Sequence, residues 1–265
     1  MTNKNVPIIS VSLKGRTLEE YTPPKQSANT LFKFFKDSKY LFQTLEKGAV
    51  IPRYYSENIN YLSIGLHQIA YPMACFCDIS IHRLEEHMSF YGTYGIAFSK
   101  SWGINQGVQP IHYINKHSSL CEDFSNAFNI AINEEKDDAA TNFLLTQMYY
   151  MKPIEGTMPR EGKNINKNFT DECEWRFIPN VALIDLPQAV TDNEIACLDV
   201  LNRTICENEK CWLKFSYSDV KYIILPTDDD VEKLYKVIEQ VVKDDILKRK
   251  LISRIITLDS IKEDF

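Results

Sequence analysis

The spacing of apolar residues divides most of this chain into short strands and helices. Runs of about four to eight apolar or alternating residues predict strands, and apolar residues that recur every three to four positions predict helices. Strands are predicted at residues 30–35, 49–51, 70–79, 94–98, 110–114, 172–178, 211–217, 220–225 and 251–258, and helices at 37–46, 80–90, 118–134, 138–150, 192–204 and 228–242. Because these elements interleave without regular strand–helix–strand spacing, we expect a single α+β domain over residues 1–265.

Three stretches lack this periodicity and are predicted to be irregular. Residues 1–29 contain Pro23-Pro24 and many polar residues, which indicates an irregular N-terminal arm, and residues 52–57 are predicted as a loop. Residues 152–171 are rich in Gly, Pro and Asn, which predicts a long mobile loop. Four basic residues make this loop mildly positive, and loops of such length inside a compact domain are often functional.

Composition and charge narrow the class of protein. Hydrophobic residues make up 44% of the 265, which suits an ordinary globular protein rather than a disordered one. The net charge of −6 argues against a protein wrapped in nucleic acid, although a local basic cleft remains allowed. The sequence contains no run of about 18 apolar residues and begins with no apolar leader, so we expect a cytoplasmic protein without a membrane partner.

The cysteines pose a question of metal binding. There are seven, an odd number, which favours reduced thiols over a disulfide framework. Cys75 and Cys77 are followed by His82 and His87, but structural zinc usually requires two residues between paired cysteines. Buried strand thiols are therefore favoured over a zinc site, and no metal is predicted.

The sharpest local pattern is the strand predicted at residues 172–178. Side chains alternate along a strand, so Glu172, Glu174 and Arg176 share one face, about 7 Å apart. Two carboxylates beside a guanidinium are able to stabilise positive charge and to take up a proton. The alternative is a solvated sheet face with one Glu–Arg ion pair.

A second block, residues 73–103, combines glycines with tyrosines. The glycines permit tight turns, while Tyr91 and Tyr94 offer flat faces on which a base or a nicotinamide ring stacks. The alternative is that both tyrosines are core aromatics at a helix–strand junction. Neither standard glycine-rich phosphate loop is present, so nucleotide-binding folds of those types have no support.

The order of these motifs resembles a known family. The series CFCDI, then His87, then YGTYGIAFSKSWG, then PIHYI is similar to the AbiGi family of bacterial abortive-infection, or phage-defence, proteins. The segments ECEWRFIP and YSDVKYIILP resemble both that family and a related family of uncharacterised defence proteins. Both families resemble ADP-ribosyltransferases, which implies a split β-sheet with surrounding helices.

This resemblance implies roles for the two glutamates. Glu174 would be the catalytic glutamate, which hydrogen-bonds the 2′-hydroxyl of the nicotinamide ribose of NAD and stabilises the oxocarbenium ion as nicotinamide departs. Glu172 would orient or deprotonate the acceptor. The loop at 152–171 would present that acceptor.

The resemblance also implies residues that bind NAD. Tyr91 and Tyr94 would grip the nicotinamide, and Arg53 would contact the pyrophosphate, although a lone Arg after a strand also suits a surface ion pair. Lys33 and Phe35 stand where such transferases often carry His or Arg and then Thr. Lys33 is a candidate for binding NAD through a hydrogen bond to a ribose hydroxyl or a phosphate, but Lys is a donor only and cannot replace a neutral His.

Two functions therefore follow from the sequence. The first is a toxin-like ADP-ribosyltransferase that moves ADP-ribose from NAD to a macromolecular acceptor, which is RNA, DNA or protein. The second is a non-catalytic antitoxin or infection sensor of the same fold. The glutamate pair favours the first, and Lys33 with Phe35 favours the second. In either case we expect a cognate toxin or antitoxin as partner.

Overall fold

The computed structural model describes residues 21–25, 27–133, 138–160, 162–191 and 194–264. Most of the predicted N-terminal arm lies outside these ranges; within them, residues 21–24 form no helix or strand. None of the helices described combines the length and the apolar character that crossing a bilayer requires.

Short strands outnumber helices along the described chain. The strands are β1 (Thr30–Phe35), β2 (Ala49–Val50), β3 (Arg53–Asn58), β4 (Gln68–Cys77), β5 (Tyr94–Ser99), β6 (Gln109–Pro110), β7 (His112–Ile114), β8 (Met151–Pro153), β9 (Glu155–Arg160), β10 (Lys163–Asn168), β11 (Glu174–Phe177), β12 (Val190–Thr191), β13 (Leu213–Lys214), β14 (Val220–Leu225) and β15 (Ile255–Thr257). The helices are α1 (Ser38–Lys47), α2 (Leu84–Tyr91), α3 (Lys100–Asn105), α4 (Ser119–Asn133), α5 (Ala139–Tyr149), α6 (Leu198–Glu207), α7 (Val231–Val241), α8 (Asp245–Ile252) and α9 (Leu258–Asp264).

The main sheet is built around the long strand β4. Its strands follow the order β15-β14-β5-β1-β4-β11-β6, and β3 and β12 also pair with β4. All of these pairs are antiparallel except β14 with β15. The sheet is therefore mixed, and β4 connects the strands β15 to β1 on one side with β11 and β6 on the other.

The sheet is forked beside β4. On one edge, β11 pairs with residues 74–77 and β12 with residues 69–70. On the opposite edge, β1 pairs with β4 only where Phe32 faces Cys77, and β3 pairs with residues 68–73. The gap between β1 and β3 therefore faces residues 74–76 of β4.

Apolar side chains pack on both faces of the sheet. Because successive side chains of a strand point to opposite faces, β4 contributes Ala74 and Phe76 to one core and Tyr71 and Met73 to another. The first core is closed by apolar residues of α1, α7 and α8, and the second by those of α4 and α5. These cores hold β4 and β11 fixed beneath the fork.

Local signals explain helix α1, which the sequence predicted within one residue. Asp37 is the N-cap, and its carboxylate accepts a hydrogen bond from the amide of Lys39. Gly48 ends the helix in the left-handed conformation, with φ 58°, as its position after the last turn suggested. The predictions of β1, β4, β5, α4 and α5 are confirmed with similar accuracy.

Two predicted loops are wrong. Residues 52–57 are mostly strand β3, because pairing with six residues of β4 outweighs the polar composition. Residues 152–171 are mostly a two-stranded ribbon of β9 and β10. Glu155 pairs with Asn168 at one end of the ribbon, and Arg160 pairs with Lys163 at the other. Gly162, with φ 77°, lies in its turn.

Two predicted strands also need correction. The strand at 172–178 is shortened to β11, because Glu172 ends a 3₁₀ turn and Cys173 adopts a left-handed conformation with φ 42°. Glu172 and Glu174 are therefore not neighbours on one strand. The strands predicted at 211–217 and 220–225 follow each other closely in sequence but do not pair as a hairpin: β13 pairs with β2, and β14 pairs with β5 and β15.

Gly92 is predicted to be required for the start of β5. It has φ 137°, and a Cβ there would lie 2.1 Å from the carbonyl oxygen of Phe35. Gly107 has φ 76°, but a Cβ added to it would meet no atom within 4 Å, so Gly107→Ala isolates backbone strain. We expect Gly107→Ala to cost about 1 kcal/mol of unfolding free energy and Gly92→Ala about 3 kcal/mol. Urea unfolding measures both; equal losses would contradict the steric argument.

Candidate functional site

A cavity of about 520 Å³ lies at the fork of the sheet. It is lined by β1, by β3, by the middle of β4 and by side chains from α1, α2, β8, β9 and β11. Its volume falls in the range typical of small-molecule sites. Of the residues predicted to form a site, Lys33, Arg53, Tyr91, Glu172 and Glu174 line it.

Glu174 is a buried carboxylate held by three hydrogen bonds from cationic side chains. Arg176 Nε lies 2.7 Å from its Oε1, Arg176 Nη2 3.2 Å from its Oε2, and Lys152 Nζ 3.0 Å from the same Oε2. A carboxylate has about four lone-pair sites, so the protein's own donors use most of them.

Glu172 enters the same cluster from the turn before β11. Its Oε2 lies 2.7 Å from Lys152 Nζ, and its Oε1 lies 3.0 Å from Lys167 Nζ and accepts from the Tyr91 hydroxyl. Glu172 is 4% exposed and Glu174 6%. The alternative of a solvated sheet face is therefore wrong.

Arg176 lies at the base of the cluster and is fully buried. Its guanidinium donates five hydrogen bonds, the full number of its N–H groups. Two go to Glu174, one to Glu57, one to the Tyr71 hydroxyl and one to the Tyr149 carbonyl. A buried charge is tolerated only when it is paired and hydrogen-bonded in this way.

The paired charges set the protonation state of the cluster. Burial alone would raise the pKa of Glu174, but the Arg176 and Lys152 cations hold that pKa well below its usual range. Burial alone would lower the pKa of Lys152, but Glu174, Glu57 and Glu172 raise it well above the usual value. Glu174 is therefore ionised and Lys152 protonated at neutral pH.

One wall of the cavity carries two cations that form no ion pair within the described chain. The Lys33 ammonium donates a hydrogen bond of 3.4 Å to the Cys75 carbonyl, in the gap of the fork. Burial lowers the pKa of Lys33, and the charge of nearby Arg53 adds to this. Arg53 is exposed and forms no ion pair among the described residues. Two cations without an ion-pair partner favour an anionic ligand.

Aromatic rings form a third side of the cavity. His87 lies between Phe34 and Tyr91, with ring centroids 5.3 Å and 4.5 Å away. Burial, helped by the charge of Lys167, lowers the pKa of His87 to about 4, so its imidazole is neutral at pH 7. A neutral aromatic wall suits a planar ring.

Tyr94, which was predicted to bind the cofactor together with Tyr91, does not lie at this cavity. Its hydroxyl lies 2.5 Å from Asp230 at the start of α7. The glycines around Tyr91 and Tyr94 suggested that both rings share a site. The turn at Gly92 instead sends Tyr91 to the cavity and Tyr94 to the first core.

The FSKSWG motif supports the glutamates from the other side of the sheet. Lys100 is buried and lies 2.6 Å from Asp78 and 5.6 Å from the ring centroid of Trp175. The Asp78 amide donates to the Cys173 carbonyl at 3.0 Å. These contacts hold the left-handed turn between Glu172 and Glu174, so that both side chains reach Lys152.

The comparisons with known proteins agree with the motifs. The model of a family described as "Putative abortive phage resistance protein AbiGi, antitoxin" matches residues 48–226, more than half of the chain. This chain belongs to the AbiGi family. It is similar to the abortive phage resistance protein AbiGi of Lactococcus lactis subsp. cremoris, with 37% identity over 248 residues that cover 82% of this chain and 100% of that protein. No solved structure matches.

The predicted membership of the AbiGi family is thus confirmed, and with it a place in abortive phage resistance. The matched range contains Arg53, Tyr91, Glu172 and Glu174, whereas Lys33 precedes it.

In this AbiGi family member, several residues of the cavity lining and of the charged cluster beside it were not predicted as site residues. Lys152 and Lys167 were noted only as basic residues of a loop, and Glu57 was placed in a loop leaving a strand. His87 was used as a motif residue without a role. A sequence signal exists only for Arg176, which shares the strand face of Glu174; the others reach the cluster through contacts between separate elements.

The Glu174 ion pairs are predicted to stabilise the fold in a pH-dependent manner. The folded-state pKa of Glu174 lies below its unfolded value of about 4.3, so its contribution is present above that pH and is lost as pH falls. We expect Glu174→Gln to cost about 3 kcal/mol at pH 7, and the difference from wild type to shrink between pH 5 and pH 3. Urea unfolding at several pH values measures this difference.

The matched control is Glu46→Gln, on the exposed face of α1. It should change the unfolding free energy by less than about 0.5 kcal/mol at every pH. A Glu174→Gln deficit that stays constant down to pH 3 would contradict the ion-pair explanation.

Proposed function

We propose that the protein is the antitoxin of an abortive-infection pair, and that its cavity binds a dinucleotide of the NAD class as a regulatory ligand. The observation that carries this proposal is the division of charge in the cavity. Glu174 accepts three hydrogen bonds from Arg176 and Lys152. Lys33 and Arg53 also line the cavity and form no ion pair in the described chain.

The cationic wall supports a ligand that carries phosphate. Arg and Lys hydrogen bonds to phosphate oxygens are charge-assisted and stronger than neutral ones. Next to that wall lie the rings of Tyr91 and His87, which suit a planar group. A dinucleotide supplies both a diphosphate and a ring, and an ADP-ribosyltransferase-like split sheet would hold it across the fork.

The state of Glu174 supports binding without turnover. A catalytic glutamate in ADP-ribosyl transfer must accept a hydrogen bond from a ribose hydroxyl. Here Lys152 and Arg176 both donate to Oε2, and Lys152 is anchored in β8, which pairs with β7. Removing this lysine would take a counter-ion from two buried carboxylates at once.

Binding is tested by calorimetric titration with NAD and with ADP-ribose. Wild type should bind, and Lys33→Met and Arg53→Met should each weaken binding at least about tenfold, because each removes a charge-assisted hydrogen bond. Lys236→Met removes a charge from α7, where the side chain is 65% exposed, and should leave affinity unchanged. Absence of binding to wild type would overturn the proposed ligand.

The antitoxin role is tested by growth of a bacterial host. Wild type alone should be harmless, and it should restore growth when co-expressed with the toxin encoded beside it. Glu174→Ala alone should also be harmless, because no activity depends on a free carboxylate. Growth arrest by wild type that Glu174→Ala abolishes would overturn the antitoxin proposal in favour of the transferase.

The second candidate function is ADP-ribosyl transfer from NAD to RNA, DNA or protein. One observation favours it: Glu172, Glu174, Tyr91, Lys33 and Arg53, which the resemblance to transferases implied, meet in one cavity. Under this proposal Lys152 would have to leave Glu174 before reaction. Label that passes from NAD to a nuclease- or protease-sensitive product, but not with Glu174→Gln, would support it.

A further inference from the structure

The ribbon of β9 and β10 stands apart from the main sheet. Within the described chain its strands hydrogen-bond only with each other as a two-stranded sheet. The backbone joins the rest of the protein at its base, where the Phe169 amide donates to the Ile154 carbonyl at 2.7 Å and Phe169 is buried. Most of β10 is exposed.

One side of the ribbon covers the carboxylate end of the cavity. Met158 of β9 lines the cavity, and Lys167 of β10 contacts Glu172, which belongs to the cavity lining. The Lys167 ammonium lies 3.0 Å from Glu172 Oε1, donates to the Tyr91 hydroxyl, and stands 3.9 Å from the ring centroid of Phe90 and 4.2 Å from that of Tyr91. A single side chain therefore makes most of the polar contact between β10 and the cavity wall.

Lys152 makes the contrast clear. It contacts the same glutamate, but from β8, which pairs with β7 and does not belong to the ribbon. If Lys167 withdrew, Glu172 would keep Lys152 at 2.7 Å as its counter-ion. Withdrawal of Lys167 would thus take a cation from Glu172 alone, whereas withdrawal of Lys152 would take one from both Glu172 and Glu174.

We propose that Lys167 is a latch that holds the β9–β10 ribbon closed over the cavity, and that a bound ligand opens it by taking the Glu172 and Tyr91 groups that Lys167 occupies. This regulation rests on the proposed function, because it concerns the same ligand site. The ligand groups that compete are hydroxyls, such as those of a ribose, which donate to Glu172 Oε1 in place of the ammonium. The opened ribbon changes the protein's surface and so reports occupancy of the cavity to the partner.

The latch is tested first without any ligand. Hydrogen exchange of the peptides spanning β9 and β10 should be about tenfold faster in Lys167→Met than in wild type, because a charge-assisted contact that opposes opening is lost. Lys163→Met removes the same charge from the same strand; Lys163 is exposed and has no ion pair in the described chain, so exchange should match wild type. Unchanged exchange in Lys167→Met would overturn the latch.

Ligand affinity supplies the second measurement. A closed latch reduces the fraction of protein able to bind, so Lys167→Met should bind ADP-ribose at least about tenfold more tightly than wild type or Lys163→Met. Ligand should also accelerate exchange of the ribbon in wild type. Equal affinities, or a ribbon that exchanges more slowly with ligand, would overturn the latch.

The two proposals fail in distinguishable ways. If neither wild type nor any variant binds NAD or ADP-ribose, the proposed ligand is wrong, while the ligand-free exchange experiment still decides whether Lys167 holds the ribbon. Tyr91→Phe serves as a second variant should Lys167→Met unfold. It removes the hydroxyl between Lys167 and Glu172 and keeps the ring, so exchange should again increase.

Discussion

The buried guanidinium of Arg176 is the constraint on which the site depends. A charge without solvent access costs several kcal/mol unless it is fully paired, and Arg176 satisfies this with five hydrogen bonds. These hydrogen bonds fix the positions of Glu174 and Glu57. The negative charge of the two carboxylates in turn requires Lys152 nearby. Three carboxylates and three cations thus form a group of ion pairs whose charges cancel: Glu57, Glu172, Glu174, Lys152, Lys167 and Arg176. Breaking any inner pair would leave a charge that the cavity wall cannot solvate.

The fork in the sheet and this group of buried charges depend on each other. Where β1 and β3 diverge, the edge of β4 loses its backbone partner at residues 74–76, and the Cys75 carbonyl instead accepts from Lys33. The missing strand pairing opens the space in which side chains from β1, β3 and β11 face one another. A fully paired sheet would bury these charges without a cavity. The same gap thus provides both the cationic wall and access to it.

The sequence predicted the parts of this arrangement that depend on local patterns. Strand β1 and helix α1 follow from alternation and capping, and Glu174 with Arg176 follows from the two-residue repeat of a strand. The ribbon was mistaken for a loop because Asn and Gly are poor strand formers, and only pairing across Gly162 reveals it. Lys152 and Lys167 could not be predicted, because their partners belong to other elements and meet them only in the folded chain. Tyr94 was assigned to the site of Tyr91 on the resemblance to transferases, but the turn at Gly92 separates the two rings, and Tyr94 packs against the first core as the alternative proposed.

The ion pairs of Glu174 bear on the choice between the two functions proposed for this chain. The carboxylates, Tyr91 and the cations that the resemblance to transferases implied line one cavity, yet Glu174 already accepts three hydrogen bonds from Arg176 and Lys152. Transfer would need a lone pair of Glu174 that is free when the ligand arrives, whereas recognition would need only a cavity of fixed shape and charge. The ion pair with Lys152, which is anchored in β8, preserves that shape and occupies Oε2. The proposed ligand recognition therefore requires less rearrangement of Glu174 than the proposed transfer does.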